Sequence, residues 1–467
     1  MEALEYLYQA AGKDVEQIPA DNPFKELGVD GKAPRLGWVL PPSWDQVEKV
    51  LSGLDSYLED KEEFVFVGMG GSINGIKTIR SLNPGFPLYC IDSLDPAAVS
   101  EISGRLKDKT RTLIIPITKS GTTAESQLIS RSLKELLPQN WAANFLWLSD
   151  TLSFVKLDDL GWADCPRDNI QIDKRADIGG RFTSPHTLIF LLPLYLVLGR
   201  DKAKVKEIYT EYLSKAESID KSAADLARKY KDLDPAFFSV PVKEEIKAEI
   251  TTWITQLFQE SLGSKKQGFY VKTFVGETEA SDFVPVDFSG SFENIYVYLM
   301  GLMHFLHMFV GCFAFYKEIN FVNQPCVETY KKTMKQLQGA ELTVPEKVDL
   351  DGLKEQISAA LTPEMKFIEV LLYFQPEAAQ LAGIKEMLSS AFKQKISFVF
   401  LGSDWNHHSY QAAYKDIYSL YVILTRDYLK EVPGINPETL QNNIDTLRRI
   451  CQATYQTIED KALYLSL

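Results

Sequence analysis

The chain has 467 residues, 45% of them hydrophobic and 24% charged, a balance that fits a globular protein of two or three domains and excludes a disordered, collagenous or disulfide-scaffold chain. Fifty Lys and Arg stand against 63 Asp and Glu, a formal net charge of -13, so the overall field repels phosphate polymers and argues against a nucleic-acid partner. A small phosphate ester remains compatible, because a few backbone N–H groups and one Arg hold it locally.

The first 35 residues are amphipathic and turn-rich (DNPFKELGVDGKAPRLG) and read as an extension docked on the rest. From Trp44 to Asp60 the spacing of Val47, Val50, Leu51, Leu54, Tyr57 and Leu58 predicts an amphipathic helix. At Phe64 the period changes. FVFVG is a short apolar strand, and similar runs follow at 87–92, 112–118 and 144–150, separated by helical stretches such as SQLISRSLKELL. That alternation predicts a parallel, doubly wound α/β domain over 36–200. From 201 to 430 the pattern is helix-heavy, with strands expected at GFYVKTFVG and at ISFVFLG, and reads as a second α/β domain. Residues 431–467 open on an Asn-Pro-Glu cap signal and continue at helical period.

Ile295 to Tyr316 (IYVYLMGLMHFLHMFVGCFAFY) is long enough to span a bilayer. His304 and His307 share one helical face, and no Lys or Arg cluster flanks the run, so a buried core helix is expected and no membrane partner. The five cysteines are scattered without a C-x-x-C pair, and the acidic start Met1-Glu2-Ala3-Leu4-Glu5 is unlike a signal peptide; both suit a reducing cytoplasm.

Several segments carry groups suited to chemistry. Gly68-Met69-Gly70-Gly71-Ser72-Ile73-Asn74-Gly75 joins a strand to a helix, where glycines let a ligand approach the backbone, although an unliganded tight turn has the same look. It fits neither the dinucleotide nor the P-loop pattern, so no nucleotide cofactor is implied. Thr118-Lys119-Ser120-Gly121-Thr122-Thr123-Ala124-Glu125-Ser126 sets five hydroxyls around a glycine at a strand end, more than a capping box needs and enough for a phosphate monoester. Gly179-Gly180-Arg181 aims a permanent charge from a turn, into a cleft or into solvent. Glu260, in Gln259-Glu260-Ser261-Leu262-Gly263, ends a helix, where the dipole disfavours a carboxylate and raises its pKa, which suits a proton carrier, although a solvated helix-end Glu has the same look. Lys331 follows Asn320-Phe321-Val322-Asn323-Gln324-Pro325-Cys326-Val327-Glu328, and the adjacent His407 and His408 suit a proton shuttle better than a metal site.

Taken in this order, GMGGSINGI, TKSGTTAES, GGRFTSPHTLIFLLPL, QESLG and the NxxxQPxVExxK stretch resemble the phosphoglucose isomerase family, built from two sugar isomerase (SIS) domains. The resemblance implies two doubly wound α/β domains, a homodimer with a shared active site, and interconversion of glucose 6-phosphate with fructose 6-phosphate without cofactor or metal. It assigns Gly71, Ser72 and the loop of Thr118, Lys119, Ser120, Thr122 and Thr123 to phosphate and substrate binding. Arg181 is then the group that stabilises the enediolate, Glu260 the base between C2 and C1, and Lys331 a ring-opening and substrate-binding group. The family also uses a His from the neighbouring subunit, usually in a Gln-His or Gly-Gln-Leu-His loop that this chain lacks. The candidate here is His408, preferred over His407 for the Ser-Tyr that follows. The same segments are compatible with an SIS enzyme for mannose or amino-sugar phosphates, or with a sugar phosphate sensor without turnover.

Overall fold

The computed structural model describes residues 2–138, 140–263, 269–290, 292–414 and 416–467. Helix α1 (Glu2–Ala10) buries Ala3, Leu4, Leu7 and Ala10, and α2 (Trp44–Leu58) begins at a Ser43 capping box closed by Gln46. Then come β1 (Glu63–Val67), α3 (Asn74–Ser81), β2 (Leu88–Ile91), α4 (Pro96–Arg105), β3 (Thr112–Pro116) and α5 (Ala124–Glu135). The strands pair in parallel in the order β2-β1-β3. Bridges Ile114–Phe145 and Ile117–Leu148 extend the sheet to β4 (Trp147–Ser149), which pairs with β5 (Arg167–Asn169). Phe64 and Phe66 of β1 enter one core and Val65 and Val67 another, as the two-residue strand period requires of a sheet covered on both faces.

Helices α6 (Leu188–Val197), α7 (Lys202–Leu213) and α8 (Ala216–Lys229) lead into β6 (Ala236–Val240), α9 (Glu244–Leu262), β7 (Val271–Val275) and β8 (Val284–Pro285). These three strands form a parallel sheet, β8-β6-β7. Gly268, first residue of the strand expected in GFYVKTFVG, lies outside the described residues. Helix α10 (Ile295–Lys317) packs against α1, α7, α8 and α9. It is long and apolar enough to cross a bilayer, and its most apolar stretch is wholly buried inside the protein, as the reading of a core helix expects.

After α11 (Val327–Gln336) come β9 (Glu346–Lys347), α12 (Leu350–Ala360), β10 (Phe367–Leu372), α13 (Ala378–Ala391), β11 (Ile396–Leu401), α14 (Gly402–Asn406), α15 (Tyr410–Ala413), β12 (Ser419–Thr425), α16 (Pro437–Ile458) and β13 (Ala462–Ser466). Five parallel strands run β9-β13-β12-β10-β11. The α/β architecture is the one the sequence implies, with two differences of arrangement: 201–430 feeds two sheets, and 431–467 adds to its helix a strand between β9 and β12. The two sheets meet through a buried charge cluster. Lys272 Nζ of β7 lies 2.5 Å from Glu369 Oε1 of β10 and 3.0 Å from Asp416 Oδ2, while Trp405 Nε1 donates to Glu369 Oε2 at 3.1 Å.

Candidate active site

The glycine loop after β1 and the hydroxyl loop after β3 leave the same carboxyl edge of neighbouring strands, where an open α/β sheet binds ligands. Gly70 adopts φ +54°, and its N–H donates to Asp404 Oδ1 at 2.6 Å. At Gly71 a Cβ would stand 2.1 Å from the Gly180 carbonyl oxygen, so only glycine lets this loop lie against the Gly179-Gly180-Arg181 turn. Thr183 Oγ1 closes the contact by donating to the Gly71 carbonyl at 3.1 Å.

That contact carries the turn to the end of α9, where 253–263 are all buried. Arg181 Nη1 stands 3.0 Å from Glu260 Oε1, with both side chains buried. Its Nε donates to Ser261 Oγ at 2.7 Å and its Nη2 to the Phe321 carbonyl, which fixes the guanidinium plane. His307 of α10 holds the backbone of the same residue. Burial depresses its pKa to about 3, so it is neutral, and its Nε2, 3.2 Å from the Arg181 carbonyl, acts as a donor. Burial raises the Glu260 pKa, and the opposing Arg181 charge and the 2.8 Å bond from Gln256 Nε2 only partly offset it.

Arg181 opens on a cleft of about 480 Å³ whose walls include Gly180, Lys119, Asn323 and Lys331. Lys331 sits half-exposed on the rim, 3.0 Å from Glu328 Oε1. Lys119 donates to the Ile178 carbonyl, and burial, with Arg35 adding to it, depresses its pKa to about 8. In the hydroxyl loop Thr118 and Thr123 bond each other at 2.9 Å, Ser120 and Thr122 are exposed, and Ser72 across the way is half-buried. Gly121 makes the turn at φ +72°. Behind the loop, Trp162 Nε1 donates to Gln127 Oε1 at 2.7 Å while Gln127 Nε2 donates to the Gly121 carbonyl at 3.0 Å; Trp141 and Trp147 pack on Trp162.

The two adjacent histidines are placed differently. His408 is turned away from the cleft, buried edge-on to Phe400 with Nδ1 on Ser409 Oγ, and burial holds its pKa well below 6.5. His407 is the less buried of the two, its Nε2 2.8 Å from Glu125 Oε1 at the start of α5 and its carbonyl accepting from Gln256 Nε2 at 3.1 Å. Burial would lower the His407 pKa, but the Glu125 charge outweighs it, and the net shift is upward while Glu125 is held down. Glu125, Gln256 and His307, which contact His407, Glu260 and Arg181, were not singled out in the sequence. Glu125 stands inside the TKSGTTAES motif but reads there as a helix-start carboxylate. Among the described residues no group of three His, Cys, Asp or Glu is disposed to hold a metal ion.

The chain is 27% identical over 262 residues to glucose-6-phosphate isomerase of Thermus thermophilus, covering 51% of this chain and 58% of that protein. It is 26% identical over 279 residues to glucose-6-phosphate isomerase of Streptococcus agalactiae, covering 54% and 61%. Over these stretches the chain is similar to curated glucose-6-phosphate isomerases. It matches about three fifths of the length of these curated relatives. Its fold matches that of a glucose-6-phosphate isomerase from Chlamydia trachomatis at a TM-score of 0.52 and 16% identity, over 77% of this chain and 88% of that one. A hypothetical protein from Thermus thermophilus aligns at a TM-score of 0.51 and 19% identity, over 73% and 94%. No protein-family model matches the chain. Arg181, Lys119 and Lys331 line one cleft, with Gly71 packed on the Gly180 turn and Glu260 held against Arg181.

Proposed function

We propose that the protein is a cytoplasmic aldose–ketose isomerase of sugar phosphates, interconverting glucose 6-phosphate and fructose 6-phosphate through an enediolate. The observation that carries this reading is the buried Arg181–Glu260 pair, 3.0 Å apart, beside a loop suited to a phosphate monoester. The dianion is held by the hydroxyls of Ser72, Ser120, Thr122 and Thr123 and by N–H groups at the start of α5. Fixing the phosphate makes the chemistry at the far end of the sugar effectively unimolecular.

For ring opening, His407 exchanges protons with the sugar: one leaves O1, one reaches the ring oxygen, and the C1–O5 bond breaks. Glu260 then takes the proton from C2, Arg181 balances the enediolate oxygen, and the same carboxyl returns the proton to C1. The hydroxyl proton of O2 ends on O1, so the isomerisation is redox-neutral and needs no external reductant. A carboxylate with a raised pKa in a water-poor site suits this task near neutrality. A homodimer, implied by the family resemblance, belongs to the same reading.

Glu260→Gln keeps the side chain's shape and removes the base. It is expected to lower turnover by at least about 100-fold, the lower end of general-base contributions, with sugar phosphate affinity nearly unchanged. Turnover close to wild type in a coupled assay would remove Glu260 from the mechanism.

A further inference from the structure

We propose that the open edge of β11 and the cationic groove beside it form a docking site for an extended, acidic segment of another polypeptide, which joins the five-stranded sheet as a sixth strand. The inference goes beyond the isomerase reading and uses no residue of the Arg181 cleft.

β11 stands at the end of the order β9-β13-β12-β10-β11, paired with β10 on one side only. The register tells which backbone groups stay open. The Ile396 N–H donates to the Lys366 carbonyl at 3.1 Å, and in a parallel ladder the bonds to one neighbour come from alternate residues. Ile396, Phe398 and Phe400 therefore serve β10, while the N–H and C=O groups of Ser397 and Val399 point outward. Among the described residues no backbone group bridges to them. Such a row of unpaired donors and acceptors is a template for one more strand.

The groove along this edge, about 580 Å³, sets the chemistry of the strand that fits. β11 contributes Ile396, Ser397 and Val399 to it, and β7 contributes Phe274. Its remaining wall comes from α13, where Lys385, Leu388 and Phe392 recur at i, i+3 and i+7 on one helical face. Lys393 and Lys395 complete a set of three cations, and among the described residues no carboxylate lines the groove. Lys385 and Lys393 are exposed, while Lys395 Nζ donates to the Met365 carbonyl. On a chain of net charge -13 this is a local reversal of sign. The Ser397 Oγ is buried and finds no partner within the protein, a hydroxyl that an incoming carbonyl or carboxylate would satisfy. A second copy of the same edge would set lysines against lysines, the device by which natural sheets keep like edges apart. A strand alternating acidic and apolar residues meets every demand at once: carboxylates on the lysines, apolar groups on Leu388, Phe392 and Val399, and main chain on Ser397 and Val399.

The probe is an end-capped peptide that alternates Glu and Val over seven residues, titrated into the whole wild-type chain. Hydrogen exchange at residue resolution is expected to slow at the Ser397 and Val399 amides and to stay as it was at Ile396 and Phe398. Of two isomers N-methylated at alternate residues, the one blocked on the β11 side is expected to bind at least about 5-fold more weakly at identical charge, the loss of a few main-chain hydrogen bonds. The double variant Lys385→Glu/Lys393→Glu is expected to weaken the parent peptide at least about 10-fold, two surface attractions having become repulsions. Val399→Pro removes an outward N–H that an edge strand can spare, so peptide binding should fall without a matching fall in melting temperature. If either variant fails to fold, the exchange pattern and the two isomers decide on wild type alone. Unchanged exchange at Ser397 and Val399, or equal binding of the parent and both isomers, would overturn the proposal. So would self-association of the wild-type chain that protects the same two amides, since a second copy would then own the edge.

Discussion

Two acid–base pairs, Arg181–Glu260 and His407–Glu125, are bridged by Gln256, which donates to Glu260 and to the His407 carbonyl, and their environments push their titrations in opposed ways. Burial raises Glu260 while Arg181 limits the rise, so the carboxylate protonates above the ordinary 4.5 yet stays within reach of a neutral-pH base. His407 would be depressed by burial, but Glu125 lifts it above 6.5, so its charged form persists to higher pH. If turnover requires Glu260 ionised and His407 protonated, kcat/KM is bell-shaped, with an acid limb above 4.5 and an alkaline limb above 6.5. Glu125→Gln removes the lifting charge and leaves the burial, so the alkaline limb moves down in pH; a limb that stays put excludes Glu125 as the positioning residue for His407. Short motifs singled out Glu260, Arg181 and Lys331, and the structure sets Glu260 against Arg181 and puts Arg181 and Lys331 on one cleft. The choice between His407 and His408 was not legible in the sequence, because adjacent residues beyond a helix end point in widely different directions. Nor does any local signal link Glu125 to a partner 282 residues away.

At the scale of elements, alternation at β1, β2 and β3 marked the first sheet, since each strand is short, apolar and bounded by helices of clear period. The later strands were harder to read. Phe367–Leu372 and Ser419–Thr425 are as apolar as the earlier ones but carry Glu369 and Tyr421, whose polar ends meet Lys272 across the sheet contact and Trp405 and Asp416 within their own unit. Their parallel pairing is long-range and leaves no local period, and so β13, entering the sheet from the chain's end, went unforeseen. Lys272, within GFYVKTFVG, has its side chain buried against Glu369 and Asp416. Lys272→Met leaves two carboxylates without their cation and is expected to cost about 3–5 kcal/mol in urea unfolding. A loss below about 1 kcal/mol, the range of a surface pair, would mean the cluster does not hold the two sheets together.

For the molecule as a whole, the cleft depends on how the C-terminal unit seats on the first sheet. Asp95, fully buried, caps α4 through the Ala97 N–H at 2.9 Å and also meets Gln375 and Arg426 of the C-terminal unit. Asp95→Ala is expected to destabilise the protein by about 1–3 kcal/mol and to lower kcat more than it raises KM, because the imidazole loses its seat while the phosphate loop is untouched. An unchanged kcat with the stability loss would uncouple docking from turnover. The tryptophans behind the hydroxyl loop have an optical consequence. Trp162 is one hydrogen-bonded side chain, Gln127, away from the Gly121 carbonyl, and Trp141 and Trp147 lean on its ring. Any oxyanion that reorders the Gly121 turn changes the polarity felt by that indole, so native ultraviolet emission should report occupancy without a dye. Titrating fructose 6-phosphate should shift or quench the emission in wild type, and Trp162→Phe should abolish most of the signal.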